Sequence, residues 1–320
     1  MNFPLMRTAL FVPGTRPDRV DKAMATQADT VIIDLEDAVP PEQKPQARQV
    51  VRDKLAEYPG QRIMVRCNSR GTAFFEDDLQ ALAGNKLGTL FVPKVETRRD
   101  IDAVNDALLK LEKAGGLPEF SVNLLCLIET ALALENAFAI TSQAAELPRA
   151  CMVAFGAADY ATDMGIALSA HGRELYFPRY KISNASHAAG LPGPIDTPYM
   201  YDLQDLDTCR SDARRAWELG FTGKLCIHPN QIDICNQVFS PAQAELAFAQ
   251  KVIEAFEQTR ELGQGVLQVN GKFRFIRILG TWMSCNEVDN QVFLFDVSYF
   301  HRGGAPSCPQ VSCIMASGCE

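Results

Sequence analysis

No stretch of this sequence is apolar for long enough to cross a bilayer; its uninterrupted apolar runs fall far short of the roughly 20 residues a spanning helix needs. Positive charge is also in deficit, with 31 Lys and Arg against 39 Asp and Glu and a net charge of −8 at pH 7. That balance argues against nucleic acid and anionic membranes as main partners, although a local pair of cations can still hold a phosphate. No Gly-x-Gly-x-x-Gly follows the first strand candidate, which weakens an open dinucleotide-binding sheet. A secretory leader is not visible: residues 1–14 carry one early Arg7 and then a short apolar run that reads as a strand, so the expected location is cytoplasmic.

What is present is a repeated alternation of short apolar runs and helix-length segments. The runs at 8–12, 30–33, 62–65, 89–92, 122–128, 151–155, 195–197 and 224–227 read as strands, the seventh weakly. Between them lie helical segments at about 18–28, 44–58, 74–83, 97–114 and 131–145, then loop and helix material over 161–190. Further helices are expected near 231–238 and 241–261. Strand followed by helix, many times over, is the pattern of a parallel sheet, and eight such units suit a closed (β/α)8 barrel, a TIM barrel, better than an open sheet. The polar residues support this. Arg16, Asp34, Glu36, Asp37, Arg66, Asn68, Lys94, Glu129, Asp159 and His228 all fall at or just past the carboxyl end of a strand, where barrel active sites are built.

Glu129 and Asp159 close two consecutive apolar strands, so the fold sets them side by side on one rim. Two carboxylates that close repel, and a shared proton or a bound cation resolves the conflict. With oxygen donors alone, the expected ion is Mg²⁺ or Mn²⁺ rather than Zn²⁺. Alternation after Ile33 turns Asp34 and Glu36 to one side, where they can hold the waters of such an ion. Arg66, at a strand end beside carboxylates, suits an oxyanion or substrate clamp. Arg16 and Lys22 flank a helix start and can hold a phosphate. His228 is read as structural, bonding to a neighbouring strand.

Seven separated stretches, in order, resemble the citrate lyase beta-subunit-like proteins, which include malyl-CoA and citramalyl-CoA lyases. They are Leu10-Phe11-Val12-Pro13-Gly14-Thr15-Arg16-Pro17, Asp34-Leu35-Glu36-Asp37-Ala38-Val39, Val65-Arg66-Cys67-Asn68, Val92-Pro93-Lys94, Leu127-Ile128-Glu129-Thr130, Phe155-Gly156-Ala157-Ala158-Asp159-Tyr160 and Lys224-Leu225-Cys226-Ile227-His228-Pro229-Asn230-Gln231. The resemblance implies Mg²⁺ on Glu129 and Asp159, substrate contact by Arg66 and Glu129, and CoA held by Phe11, Arg16 and Lys22. Arg66, Glu36 and Asp37 are then the expected catalytic groups, a CoA thioester is the expected partner, and trimers or hexamers are the expected assembly. The implied activity is cleavage of citramalyl-CoA or malyl-CoA to acetyl-CoA and pyruvate or glyoxylate. The alternatives are a subunit acting on a citryl thioester of an acyl carrier protein and a low-activity or non-catalytic CoA-thioester-binding descendant.

The resemblance ends near Lys272. Of the ten cysteines, six lie scattered in the first part of the chain and read as small buried hydrophobes, while Cys285, Cys308, Cys313 and Cys319 crowd the end. Their spacing contains no Cys-x-x-Cys, which argues against zinc. Phe275 stands where the family carries an aspartate that reaches a neighbouring subunit. The expected division is a catalytic barrel over 1–272 and a divergent, poorly packed tail over 273–320.

Overall fold

In the computed structural model, residues 3, 4, 6–58 and 62–241 are described, together with the backbone of two short strands at 266–269 and 272–275. Eight parallel strands close on one another: β1 (Thr8–Pro13), β2 (Thr30–Asp34), β3 (Ile63–Arg66), β4 (Thr89–Val92), β5 (Asn123–Ile128), β6 (Cys151–Phe155), β7 (Ile195–Asp196) and β8 (Gly223–Cys226). Closure comes from β1, which pairs with β2 on one side and with β8 on the other. It depends on one residue without a side chain: a Cβ on Gly223 would stand 1.9 Å from the Met6 carbonyl oxygen. The expected TIM barrel is the observed fold, and the weak seventh strand is real but two residues long.

Strand alternation splits the apolar residues into two layers. Ala9, Ile32, Met64, Phe91, Leu125 and Met152 belong to the cluster that fills the barrel, whereas Leu10, Val31, Ile33, Val65 and Val153 join the layer beneath the helices. The six cysteines of the described residues are buried and free, in keeping with their apolar surroundings.

The helices are α1 (Pro17–Met24), α2 (Lys44–Glu57), α3 (Phe74–Leu82), α4 (Arg98–Gly115), α5 (Ala131–Glu135), α6 (Ala137–Glu146), α7 (Ala157–Met164), α8 (Tyr176–Ala189), α9 (Leu206–Glu218) and α10 (Ile232–Val238). α9 is not anticipated from the sequence, and two of the anticipated helices differ from expectation. The segment 131–145 is two helices, because Asn136 leaves the helical path and donates its side-chain amide to the Glu96 carbonyl at 2.9 Å. α1 stops at Met24 rather than Ala28, since the Arg62 guanidinium takes the carbonyls of Met24, Thr26 and Ala28 at 2.6–3.2 Å and satisfies them outside a helix. α4 begins where its sequence says it should, on a capping box between Thr97 and Asp100.

No helix among the described residues is long and apolar enough to cross a membrane. The barrel belongs to a compact unit spanning Phe3–Phe239, and Ser240–Glu320 group separately. Within the second unit, β9 (Val266–Val269) and β10 (Lys272–Phe275) form an antiparallel pair. The helix expected over 241–261 and the tail after Phe275 lie outside the described residues.

Candidate active site

Register builds the mouth of the barrel. Asp34 and Arg66 are paired positions on β2 and β3, and the guanidinium forks onto the carboxylate, Nε to Oδ1 and Nη2 to Oδ2 at 2.7 Å each. Asp34 also accepts the amides of Glu36 and Ala38 at 2.9 and 3.0 Å. With both oxygens so engaged, Asp34 orients Arg66 and is not free to hold the waters of a cation, a correction to the sequence expectation. Nη1 of Arg66 faces Glu36 Oε2 at 3.1 Å and Asp37 Oδ2 at 3.2 Å. The Phe11 ring lies under the guanidinium, 4.8 Å from its carbon, and 6.0 Å from the Phe91 ring. Burial alone would lower the Arg66 pKa, but Asp34, Glu36 and Asp37 outweigh it and hold the group above its ordinary value.

Glu129 is 3% exposed at the end of β5. Its Oε1 accepts the Lys94 backbone amide at 2.8 Å. The space it occupies exists because position 156 is glycine: a Cβ there would stand 2.7 Å from Glu129 Cβ and 2.8 Å from Oε2. Burial, reinforced by the neighbouring charges of Glu36 and Asp159, pushes the Glu129 carboxyl up to about 8. Burial likewise pushes Glu36 up to about 7, against Arg66 and with the help of Asp37 and Asp34. Glu36 Oε2 is buried without a hydrogen bond, since Arg66 Nη1 is close but not aligned for one. Asp159, in the first turn of α7, is one-third exposed, and its Oδ2 meets Lys94 Nζ at 3.1 Å.

These residues suit a hard divalent cation. The mouth gathers five carboxyl groups, Asp34, Glu36, Asp37, Glu129 and Asp159, around two cations, Arg66 and Lys94. A buried carboxylic oxygen without a hydrogen bond and a carboxyl whose pKa is raised by burial and like charge are both relieved by an added cation. No group of three or more His, Cys, Asp or Glu converges as a ligand cage among the described residues. A two-carboxylate set accords with an ion that keeps waters and leaves positions for substrate oxygens.

The remaining expected residues fall elsewhere. Arg16 precedes the first turn of α1 and its side chain forks onto Asp18 at 2.9 Å on the surface, so a phosphate there competes with an acid; Lys22 is exposed on the same helix. His228 does not bond to a neighbouring strand. Its Nδ1 caps the Asn230 amide at 3.3 Å and its own amide meets Gln231 Oε1, so it shapes the turn after β8. Asn68 is also structural: it accepts from Lys44 Nζ at 2.6 Å and donates to Asp78 at 2.6 Å.

Two contributors carried no role in the sequence reading. Gly156 directly follows an apolar strand, a position where close backbone approach is a recognisable possibility. Lys94 follows Pro93 at a strand end, and nothing in sequence shows that its amide and its ammonium reach different acids.

A barrel with an acid-rich, partly buried mouth at the carboxyl ends of its strands has the layout of a barrel enzyme's active site. Residues 7–229 match the HpcH/HpaI aldolase/citrate lyase family, and the chain belongs to it. The chain is 34% identical over 273 residues to the citrate lyase subunit beta of Leuconostoc mesenteroides subsp. cremoris, covering 85% of this chain and 89% of that protein. It is 32% identical over 288 residues to the L-malyl-CoA/beta-methylmalyl-CoA lyase of Cereibacter sphaeroides, covering 83% and 89%. Among solved structures, CitE from Mycobacterium tuberculosis in complex with magnesium, acetoacetate and coenzyme A aligns with a TM-score of 0.67 and 30% identity, covering 86% of this chain and 95% of that one.

Proposed function

We propose that this chain cleaves a 3-hydroxyacyl-CoA thioester, citramalyl-CoA or malyl-CoA, into acetyl-CoA and pyruvate or glyoxylate, with Mg²⁺ held by Glu129 and Asp159. The observation that carries this reading is the excess of carboxyl groups at the mouth, centred on buried Glu129, whose carboxyl is raised to about 8 by burial, Glu36 and Asp159. Supporting it are relatives named for malyl-CoA cleavage and a magnesium- and CoA-bound structural neighbour.

In the reaction, the 3-hydroxyl loses its proton, the bond between C2 and C3 breaks, and the electron pair moves to the thioester carbonyl as an enolate. The former hydroxyl carbon becomes the carbonyl of the 2-oxo acid, a ketone in pyruvate and an aldehyde in glyoxylate, and a proton delivered to C2 completes acetyl-CoA. When bound, Mg²⁺ supplies Lewis acidity at the substrate's hydroxyl and carboxylate oxygens. Arg66, aimed by Asp34 and backed by Phe11, places positive charge at the mouth where the enolate oxygen develops. Glu36, with a carboxyl at about 7, is poised to accept and return a proton near neutral pH, and Asp37 shares its arginine partner. Arg16 and Lys22 offer exposed charge to the phosphates of CoA.

The likeness to citrate lyase beta subunits supports a second reading, in which a citryl thioester on an acyl carrier protein is the substrate. Exposed Arg16 and Lys22 favour free CoA, because the carrier lacks a CoA 3′-phosphate. Trimeric or hexameric assembly belongs to the same proposal. Phe275 cannot transfer a proton, so turnover is expected to be slow, by about 10² to 10⁴ for one missing acid or base. Coupled detection of acetyl-CoA and keto acid from malyl-, citramalyl- and citryl-CoA, with and without Mg²⁺, tests the reading. Mg²⁺-independent release, or none from any thioester, overturns it.

A further inference from the structure

Lys94 touches three of the acids on which the site depends. Its amide donates to Glu129 Oε1 at 2.8 Å, and its Nζ stands 3.1 Å from Asp159 Oδ2 and 3.9 Å from Glu36 Oε1. The backbone reaches this arrangement at φ +52°, in the left-handed region that a side chain with a Cβ rarely adopts. Such a conformation persists when its surroundings hold it, and here the amide's bond to a buried carboxyl is one such hold. The side chain, by contrast, is 40% exposed, so its tip has a path to solvent.

We propose that Lys94 is a positioning residue with two separable parts: its amide aims Glu129, and its ammonium is the internal counter-cation of the metal-free mouth, displaced when a divalent cation binds. This rests on the reading that Glu129 and Asp159 hold that cation. An ammonium already 3.1 Å from an Asp159 oxygen competes for that carboxylate with an incoming ion and repels it as a like charge. The four-carbon stem lets the ammonium swing aside while the strained backbone, and with it the amide, stays in place. The mouth therefore exchanges one cation for another at Asp159.

Lys94→Met tests this by keeping the Cβ, the stem length and the backbone demand while removing the charge. In calorimetric Mg²⁺ titrations of the full chain, Lys94→Met is expected to bind roughly tenfold more tightly than wild type, as loss of a like charge at contact range predicts. It should melt lower without metal and show a larger Mg²⁺-induced rise in Tm. Lys94→Arg, which keeps the charge, should stay within about threefold of wild type. Unchanged or weaker Mg²⁺ binding by Lys94→Met overturns the proposal. Should that variant fail to fold, reductive methylation of wild type followed by peptide mass spectrometry reads the same displacement: Mg²⁺ should increase labelling of Lys94, and unchanged or reduced labelling overturns it. Asp159→Asn in the same titrations separates the two levels. If it binds Mg²⁺ as well as wild type does, the metal reading fails and this inference with it; if it loses binding while Lys94→Met gains none, only the role of Lys94 fails.

Discussion

Two clusters of buried charge in this barrel are built from the same residue types and reach opposite electrostatic states. On the outer side of β7 and β8, Arg179 forks onto Asp196 at 2.9 Å and meets Asp212 at 3.0 Å, while Lys224 bonds to both aspartates. Arg215 adds a contact to Asp212 at 3.3 Å. Every oxygen of the two acids faces a cation. Burial alone would raise Asp212, but Lys224 and Arg179 drive it well below the ordinary carboxylate range. At the mouth the acids outnumber the cations, Glu129 is hydrogen-bonded by a neutral amide, and its carboxyl is displaced upward to about 8. Acids met on every oxygen by a cation are architecture, holding α8 and α9 to the barrel. Unbalanced charge next to an opening calls for a ligand of the opposite sign.

The comparison breaks most sharply with Glu129→Gln. This near-isosteric change should abolish Mg²⁺-dependent cleavage and leave the metal-free fold at least as stable as wild type, as read by turnover and chemical denaturation. Unchanged calorimetric Mg²⁺ affinity in either this variant or Asp159→Asn would remove the site assignment. Lys224→Met should do the reverse. Leaving two buried aspartates short of a cation costs about 3–5 kcal/mol in denaturant unfolding, and Mg²⁺ should not restore it.

Arg66→Lys keeps the charge but loses the planar fork on Asp34, so kcat is expected to fall by roughly 10² to 10³. A change in stability alone would make Arg66 architectural, like Arg179. Gly156→Ala places a methyl against Glu129 and should cost about 1–3 kcal/mol of stability, with weaker Mg²⁺ binding; an unchanged calorimetric affinity would show that the cradle is looser than the contacts indicate.

The smallest expected effect is in pH. Glu129 and Glu36 keep their protons in the folded chain up to about 8 and 7, against 4.5 as the reference value for an unfolded carboxyl. The folded state therefore binds more protons across that window, and metal-free stability should fall as pH rises from about 4.5 to 8. Saturating Mg²⁺ should flatten the slope. Denaturation midpoints that rise over this range without metal would contradict the proposed burden of unpaired acids.

Much of the fold was legible because its cues are local. Short apolar runs, the Thr97 and Asp100 cap, and polar residues at strand ends all announce themselves within a few positions of the chain. Two of the misread elements were decided by partners remote in sequence. Asn136 breaks its helix for a carbonyl on the β4–α4 connection, and Arg62 shortens α1 by taking its last carbonyls. His228 proved to serve its own turn, an arrangement that a one-residue reading could not separate from a cross-strand bond.

By itself, the sequence determined the strand-and-helix alternation, the carboxyl-end placement of Arg66, Glu129 and Asp159, and family membership, since each is carried by periodicity or by short contiguous motifs. Tertiary structure alone decided which charges meet. Barrel closure and register put Asp34 beside Arg66, Lys224 beside Asp196, and Lys94 between Asp159 and Glu36. Burial and distance act between segments about 30 to 65 residues apart in the chain, and they alone separate a saturated ion pair from a buried carboxyl met by a neutral amide.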